Sequence, residues 1–564
     1  MSLSVELDEF TTGEPEDTSQ LLSSDPVATS PSDEESSARH NVVPIVMRDE
    51  PSGVCGVASR HVWWLGALLV LAGLAAGVGL VMAFSGSFGS FGNHSSTPVV
   101  SPEEESAHAL ATLALQQATE MWTRLAFFTD HFPARLGGTD NLREAARWIV
   151  QRMQEDGRLE SPRLQPVSGV PHWLRAASDI SPPDWAVARF ASRALPDHQR
   201  TAPNATTRAV PTLQRTIQVV SLGGSIGTPE QGISAPVLVV GSEEELKSRA
   251  AEARGRIVLF DVPFTSYGVT VRYRTKGAVY AARVGAIASL VRSVTPRSLG
   301  TPHTGLMEYE EGVERIPHGA ITTEDSAWLR RLSEAGTAVD LSLYMHCASA
   351  ALPADAFNVL AELRGAELPD EVVVIGGHLD SWDLATGAYD DGGGLMAAWC
   401  ALELLAQLDV PLRRTVRMVA WADEEQGGSG AEEYARAAFA DGAQQRHVFA
   451  VESDNGVMTP TGLGYSSSDG GPLNATLAAA LSRAEQLVRT ALQLSHFSVS
   501  QGGGGADVTP LLRQGVPVGG LHVDSEHYFD YHHSAADTVD KVIPEELAMC
   551  AATLAIVSMS VANA

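Results

Sequence analysis

The stretch EVVVIGGHLDSWDLATGAYDDGGG, Glu371 to Gly394, decides how the chain is read. Val372 to Ile375 form an uninterrupted apolar run of strand length, the mark of a strand covered on both faces. The run leads directly into Gly376, Gly377 and His378; Asp390 and Asp391 follow, then three more glycines. Two later runs end in the same way. TVRMVAW (415–421) leads to Asp423, Glu424 and Glu425, and HVFAV (447–451) to Glu452, Ser453 and Asp454. Strand-like runs alternating with amphipathic helices predict an α/β fold, a mixed, mainly parallel sheet with helices on both faces. Sites in such sheets form outside the carboxyl ends of the strands, so three chain segments ending in ligand-type residues converge on one spot.

A fourth segment, DYHHSAADT (530–538), adds His532 and His533. Imidazoles with carboxylates are a donor set suited to zinc. Carboxylates crowded together do not all stay ionised unless cations compensate them, and two divalent ions would do so. Gly392, Gly393 and Gly394 let the helix LMAAWCALELLAQL start hard against the site, its N-terminus towards the anionic cluster. Taken singly, a histidine after a strand is a structural residue and DEE a solvated helix start; the conjunction points to a site. His532 reads as a residue that orients or lines the site rather than a ligand. Asp507, in GGGGADVTPLL, and His522 are weaker candidates, for structure or for substrate contact.

Composition sets the surroundings. A chain of 564 residues, 44% hydrophobic, has enough apolar material for more than one domain. With 39 Lys plus Arg against 68 Asp plus Glu, the formal charge of −29 excludes nucleic-acid partners and disfavours anionic membrane surfaces. Cys55, Cys347, Cys400 and Cys550 make no disulfide framework and no zinc-type CxxC spacing. Val62 to Phe84 carry no charge and reach the roughly 20 residues that a membrane-spanning helix needs. Arg48 and Arg60 precede this run and the next basic residue is Arg124, so the positive-inside rule makes the chain a single-pass type II membrane protein. Its catalytic part is then lumenal or extracellular, where sequons stand at Asn93, Asn204 and Asn474. DTSQLL, with Asp17, Leu21 and Leu22, has the spacing of an acidic-dileucine signal for the endosomal, lysosomal or vacuolar system.

The expected domain order is a disordered cytosolic tail (1–60), a transmembrane helix (61–84) and a Gly/Ser-rich stalk (85–105), followed by the globular part. That part consists of an N-terminal portion of the main domain (106–212), a β-rich insert (213–348) and the catalytic domain (349–564). In REAARWIVQRMQEDG, Ala146, Ile149, Val150 and Met153 share one helical face. Residues 196–211 are expected as a surface loop, and nothing in the insert clusters His, Asp or Glu in catalytic fashion.

GGHLDSWDLATGAYDDGGG, WADEEQGGSGAEEY, VESDNG and HHSAADT together resemble the M28 family of dinuclear zinc exopeptidases. The likeness extends over LGGSIGTPEQGISAPVLVV, RYRTKGAVYAARVGAIASLVRSV and IPHGAITTED, covering roughly residues 106 to 560. The resemblance implies the zinc exopeptidase fold with a protease-associated-like insert, a homodimer and two Zn2+. His378 and Asp454 would hold one zinc and Glu425 and His533 the other, with Asp390 bridging. It makes Glu424 the general base for a hydroxide bridging the ions, Asp380 the carboxylate that orients His378, and Asp391 a partner of Asp390 in an unusual peptide geometry. The substrates implied are short peptides, foremost unblocked dipeptides. Alternatives within the same clan are an aminopeptidase, a glutamate-type carboxypeptidase and a receptor-like homologue without metals. Only about 30 residues follow His533, which disfavours the glutamate-type enzymes with their long helical extension.

Overall fold

The structure, a computed structural model, describes residues 101–175, 184–191, 212–442 and 444–564. The expected tail and membrane span, the dileucine signal, Cys55, Asn93, Asn204 and the 196–211 loop lie outside the described residues. Ser101 opens the first helix: its Oγ accepts from the Glu104 N–H while Glu104 Oε2 accepts from the Ser101 N–H. This reciprocal cap satisfies two orphan donors and fixes the helix at Pro102–Gln116, so residues 102–105, expected to lie in the stalk, are helical. Helices Ala118–His131 and Asp140–Asp156 follow, and in the second the expected face of Ala146, Ile149, Val150 and Met153 is buried.

Strands β1 (Glu160–Val170) and β2 (Trp173–Arg175) precede a barrel made of β3 (Trp185–Ala191), β4 (Thr212–Ser221), β5 (Ile233–Val240), β6 (Ile257–Phe260), β7 (Ala288–Arg292), β8 (His318–Ile321) and β9 (Val339–Tyr344). The barrel closes in the order β3-β4-β8-β7-β6-β5-β9. Its interior is filled by residues such as Ala186, Ile217, Leu259, Leu290 and Leu341, none of them exposed. The boundary at residue 213 is therefore corrected: β3, placed by sequence in the 106–212 portion, pairs with β4 and β9 and belongs to the barrel. Barrel closure assigns that strand, and closure leaves no local mark in WAVARFA.

After β10 (Cys347–Ser349), which pairs with β2, the chain enters the large sheet with β11 (Ala354–Leu363), β12 (Leu368–His378), β13 (Arg414–Trp421), β14 (Arg446–Glu452), β15 (Pro460–Ser466), β16 (Ser498–Gln501) and β17 (Val518–Val523). The order is β1-β11-β13-β12-β14-β17-β15-β16, with the four central strands β13, β12, β14 and β17 mutually parallel and both flanks partly antiparallel. The Val372–Ile375 run serves two cores. Val373 and Ile375 pack with the helices Gly393–Gln407 and Pro544–Ala562, whereas Val372 and Val374 pack with Ala431 and Tyr434 of the helix Ser429–Ala438. Pro544–Ala562 is long and apolar enough to cross a membrane by length and composition, but it is buried within the first of these cores. Cys347, Cys400 and Cys550 are buried free thiols. Asn474 is exposed at the N-cap of the helix Ala475–Ala491. The parallel register sets His378 beside Trp421 and Gly376 beside Glu452, which brings the carboxyl ends of β12, β13 and β14 level with one another.

Candidate metal centre

The residues singled out from sequence meet at those strand ends. His378 Nε2 lies 3.2 Å from Asp390 Oδ1 and 3.7 Å from Asp454 Oδ1. His533 Nε2 lies 3.2 Å from Asp390 Oδ2 and 3.1 Å from Glu425 Oε2. The two oxygens of Asp390 thus face different imidazoles, each accompanied by one further carboxylate. Ligand atoms of His378, Asp390 and Glu425 fall within 4.8 Å of one another, as do those of His378, Asp391 and Asp454.

The histidine tautomers follow from their outer nitrogens. His378 Nδ1 is 3.1 Å from the Asp380 carbonyl and His533 Nδ1 is 3.2 Å from the Thr304 carbonyl. A ring nitrogen facing a carbonyl carries the hydrogen, so each Nε2 turns a lone pair towards carboxylate oxygens. In the neutral imidazoles that arrangement is repulsive unless a cation, either a metal ion or a proton on Nε2, lies between them. The same shortage of positive charge appears in the acid–base balance. Burial opposes charging of His378, yet Asp380, Asp390 and Asp454 hold its pKa well above the usual histidine range; for His533, Glu425 and Asp390 do the same. Burial, with the charge of Asp390 adding to it, pushes Glu425 up to about 7. Burial likewise raises Asp454. Asp390 Oδ2, Glu425 Oε1 and Asp454 Oδ1 are buried atoms without a hydrogen-bond partner among the described residues. Orphaned lone pairs converging on neutral imidazoles fit a metal centre.

Asp380 and Asp391 hold the frame. Asp380 accepts from the Glu424 and Glu425 N–H groups at 3.0 and 3.1 Å, and its carboxylate approaches His378 Nδ1 less closely (3.5 Å) than its own carbonyl does. Asp391 accepts from the His378 and Gly394 N–H groups at 2.9 and 3.1 Å. The peptide bond between Asp390 and Asp391 is cis. A Cβ on Gly394 would stand 1.8 Å from the Ser453 carbonyl, which is why the following helix must begin on glycine to press against the β14 end. Glu424 differs from its neighbours. It is half-buried, forms no side-chain hydrogen bond among the described residues, and lines a cavity of about 340 Å³ together with Asp390, Glu425 and Asp454. His532 stacks on His533 with ring centroids 3.6 Å apart, and its Nε2 is 3.7 Å from Asp390 Oδ2. Asp507 is buried with both carboxylate oxygens unpartnered among the described residues, whereas His522 is half-buried on β17.

Residues 358–558 match the model of peptidase family M28. Over 459 residues the chain is 38% identical to human carboxypeptidase Q, an alignment spanning 81% of this chain and 89% of that protein. The chain belongs to peptidase family M28. A crystal structure of a peptidase M28 precursor from Shewanella amazonensis superposes with a TM-score of 0.69 at 30% identity, covering 82% of this chain and 98% of that one. A zinc aminopeptidase from Bacillus subtilis shares the fold at a TM-score of 0.53 and 18% identity, over 78% and 94% of the two chains. With M28 membership comes the class of enzyme: the protein is a metallo-exopeptidase.

The M28 centre of this chain also uses residues that sequence reading passed over. Asp537, quoted within HHSAADT but given no role, accepts from the N–H groups of Ala388, Tyr389 and Asp390 and fixes the peptide that carries Asp390. Arg135 is fully buried and donates to the carbonyls of Leu379, Thr386, Gly387 and Phe132, bracing the loop between His378 and Asp390. The barrel takes part as well, through main-chain contacts and an arginine rather than a cluster of His, Asp or Glu. The Thr304 N–H donates to the His533 carbonyl at 2.8 Å, His303 bridges to Ser534, and Arg274 reaches the same cavity. These contacts join residues more than 200 positions apart, so no local pattern announces them.

Proposed function

We propose that the protein is a zinc-dependent exopeptidase that hydrolyses short peptides, foremost unblocked dipeptides, at a centre of two zinc ions. The division of the Asp390 carboxylate between the His378 and His533 sides carries this reading, because a single carboxylate facing two imidazole–carboxylate pairs suits a bridge between two ions. His378 and Asp454 would hold one zinc, Glu425 and His533 the other. Zinc bound there supplies Lewis acidity, a water of lowered pKa and a point of attachment for a free α-amino group. The chain's own residues supply the proton traffic. Glu424, free of other bonds at the cavity wall, takes a proton from the attacking water and returns it to the amide nitrogen as the C–N bond breaks. Asp380 holds the main chain on either side of that carboxylate, keeping it within reach of the scissile bond.

One dipeptide assayed free, N-acetylated and as the N-terminus of a ten-residue peptide tests the reading. The free form should be cleaved, the acetylated form about a hundredfold more slowly through misplacement of the carbonyl, and internal bonds not at all. Equal rates on the free and acetylated forms would move the anchor from the amino to the carboxyl end.

The same reading places the enzyme as a type II membrane protein of the endosomal, lysosomal or vacuolar system, with the barrel as a protease-associated-like domain and the molecule as a homodimer. The uncharged run Val62–Phe84, the placement of Arg48 and Arg60, and an exposed sequon at Asn474 support the topology. A glycosidase-sensitive mass shift that is reduced in Asn474→Gln should follow on expression in cells; a membrane-bound protein with no glycan on Asn93, Asn204 or Asn474 would count against a lumenal catalytic domain.

A further inference from the structure

His533, the imidazole on the Glu425 side of the centre, is held in an unfavourable conformation. Its φ is +58°, in the left-handed region that a residue with a Cβ enters at a cost, and such a conformation persists only where the surroundings over-determine it. Those surroundings are the barrel. Thr295 Oγ1 donates to the Phe529 carbonyl. Arg297 grips the Asp530 carboxylate with Nε and Nη2 at 3.0 and 2.9 Å, and His527 Nδ1 meets the same carboxylate at 3.0 Å. His303 Nδ1 lies 2.7 Å from the His532 carbonyl, and the Thr304 N–H donates to the His533 carbonyl at 2.8 Å. Residues 529, 530, 532 and 533 are thus each tied to residues 295–304, a stretch of the connection between β7 and β8. That stretch is itself braced on the barrel wall. Ser293 Oγ accepts from the His303 N–H at 2.9 Å and donates to the Ile321 carbonyl at 2.8 Å, while Thr304 Oγ1 donates to the Ser221 carbonyl at 3.0 Å. The other imidazole is held differently. His378 ends β12 in register with Trp421, its N–H goes to Asp391 and its Nδ1 to the Asp380 carbonyl, all within the large sheet and the loops at its edge.

We propose that the barrel sets the place of His533, with Arg297 as its principal positioning residue, so that the ion held by His533 and Glu425 depends on the barrel and the ion held by His378 and Asp454 does not. This rests on the two-zinc reading above and adds to it which part of the fold makes each half of the centre. Arg297 stands out among the contacts because it is the charged and two-pronged one. A guanidinium fork on a carboxylate fixes direction as well as distance, and its anchor, Asp530, is a 6% exposed side chain three residues before His533. Released from the barrel, the main chain at His533 relaxes towards an ordinary φ. That rotation swings Nε2 away from Asp390 Oδ2 and Glu425 Oε2, which it faces at 3.2 and 3.1 Å. His378, set by strand register, has no such strain to release.

The test is zinc affinity, read by titrating the zinc-loaded full chain with a chelator, for wild type, Arg297→Gln, Arg297→Lys and Thr295→Val. Arg417→Gln, which breaks a pair with Glu362 inside the large sheet, controls for plain loss of stability. Arg297→Gln should weaken one of the two ions about 10-fold, the low end for a residue that acts through a metal ligand, and leave the other unchanged. Arg297→Lys should lose less, since it keeps the charge and gives up the fork, and Thr295→Val should weaken the same ion. Arg417→Gln should lower the melting temperature and keep both ions. Backgrounds with one ion identify the site: Arg297→Gln should still weaken the ion that remains in Asp454→Ala and should not touch the one that remains in Glu425→Ala. Unchanged affinity in Arg297→Gln, both ions weakened alike, or zinc lost from Arg417→Gln in step with its melting temperature would overturn the proposal. Should the wild type hold a single zinc, the two-zinc reading fails, and Arg297→Gln binding that ion undiminished would remove the positioning role with it.

Discussion

Replacing Glu424 by Gln separates proton transfer from metal binding. The two side chains are nearly isosteric, Glu424 makes no side-chain hydrogen bond among the described residues, and its main-chain bond to Asp380 survives the change. The fold therefore has little to lose: a shift within about 0.5 kcal/mol, or roughly 1–2 °C in Tm, is expected. Zinc content should match the wild type, because the carboxylates aligned with the imidazoles are Asp390, Glu425 and Asp454. Turnover should not match. General-base catalysis contributes about 10²- to 10⁴-fold, which is roughly 3–5 kcal/mol of barrier at ~1.36 kcal/mol per factor of ten. The assay is kcat on an unblocked dipeptide, with zinc counted by mass spectrometry on the same preparation. A metal-replete Gln variant with near-normal kcat would remove Glu424 from the mechanism, and a variant that loses zinc in step with activity would make Glu424 a ligand instead.

Asp390→Ala should lose both zinc and activity, and Asp537→Ala should weaken zinc binding in the same direction, by leaving three main-chain N–H groups around Asp390 without their acceptor; full zinc retention in Asp390→Ala would refute the bridge. The barrel offers a pH test far from the metal. Asp261 is 4% exposed; burial alone would raise its pKa, but hydrogen bonds from Ser326, Arg330 and Arg292 outweigh burial and hold it below the ordinary carboxylate value. Its stabilising contribution is thus complete above a pH of about 4 and fades as pH falls through the lower folded value. Asp261→Asn should destabilise by on the order of 3–5 kcal/mol at neutral pH. The gap in melting temperature between variant and wild type should narrow below pH 4, and a gap unchanged down to pH 3 would contradict the assignment.

The sequence by itself determined the central strands and what stands at their ends. An apolar run covered on both faces needs no partner to be recognised, and ligand-type residues at its end keep their place through any reasonable α/β arrangement, so His378, Glu424, Glu425 and Asp454 were legible where they stand. The same is true of the amphipathic helix with Ala146, Ile149, Val150 and Met153, whose period is local. Tertiary structure decided what depends on partners distant in sequence. Only barrel closure assigns Trp185–Ala191 to the insert, because a strand's pairing partners are not written in its own residues. Only the assembled loops show that Asp390 divides its oxygens between two imidazoles, that Asp537 collects three main-chain donors, and that Arg135 braces the Asp390 loop. Arg274 is the sharpest case. In RYRTKG it is one arginine among ordinary surface-type residues, and only the fold buries it beside His533, which lies 259 positions away. Hydrophobic period is a property of neighbours along the chain, whereas hydrogen-bond satisfaction and charge compensation are properties of neighbours in space.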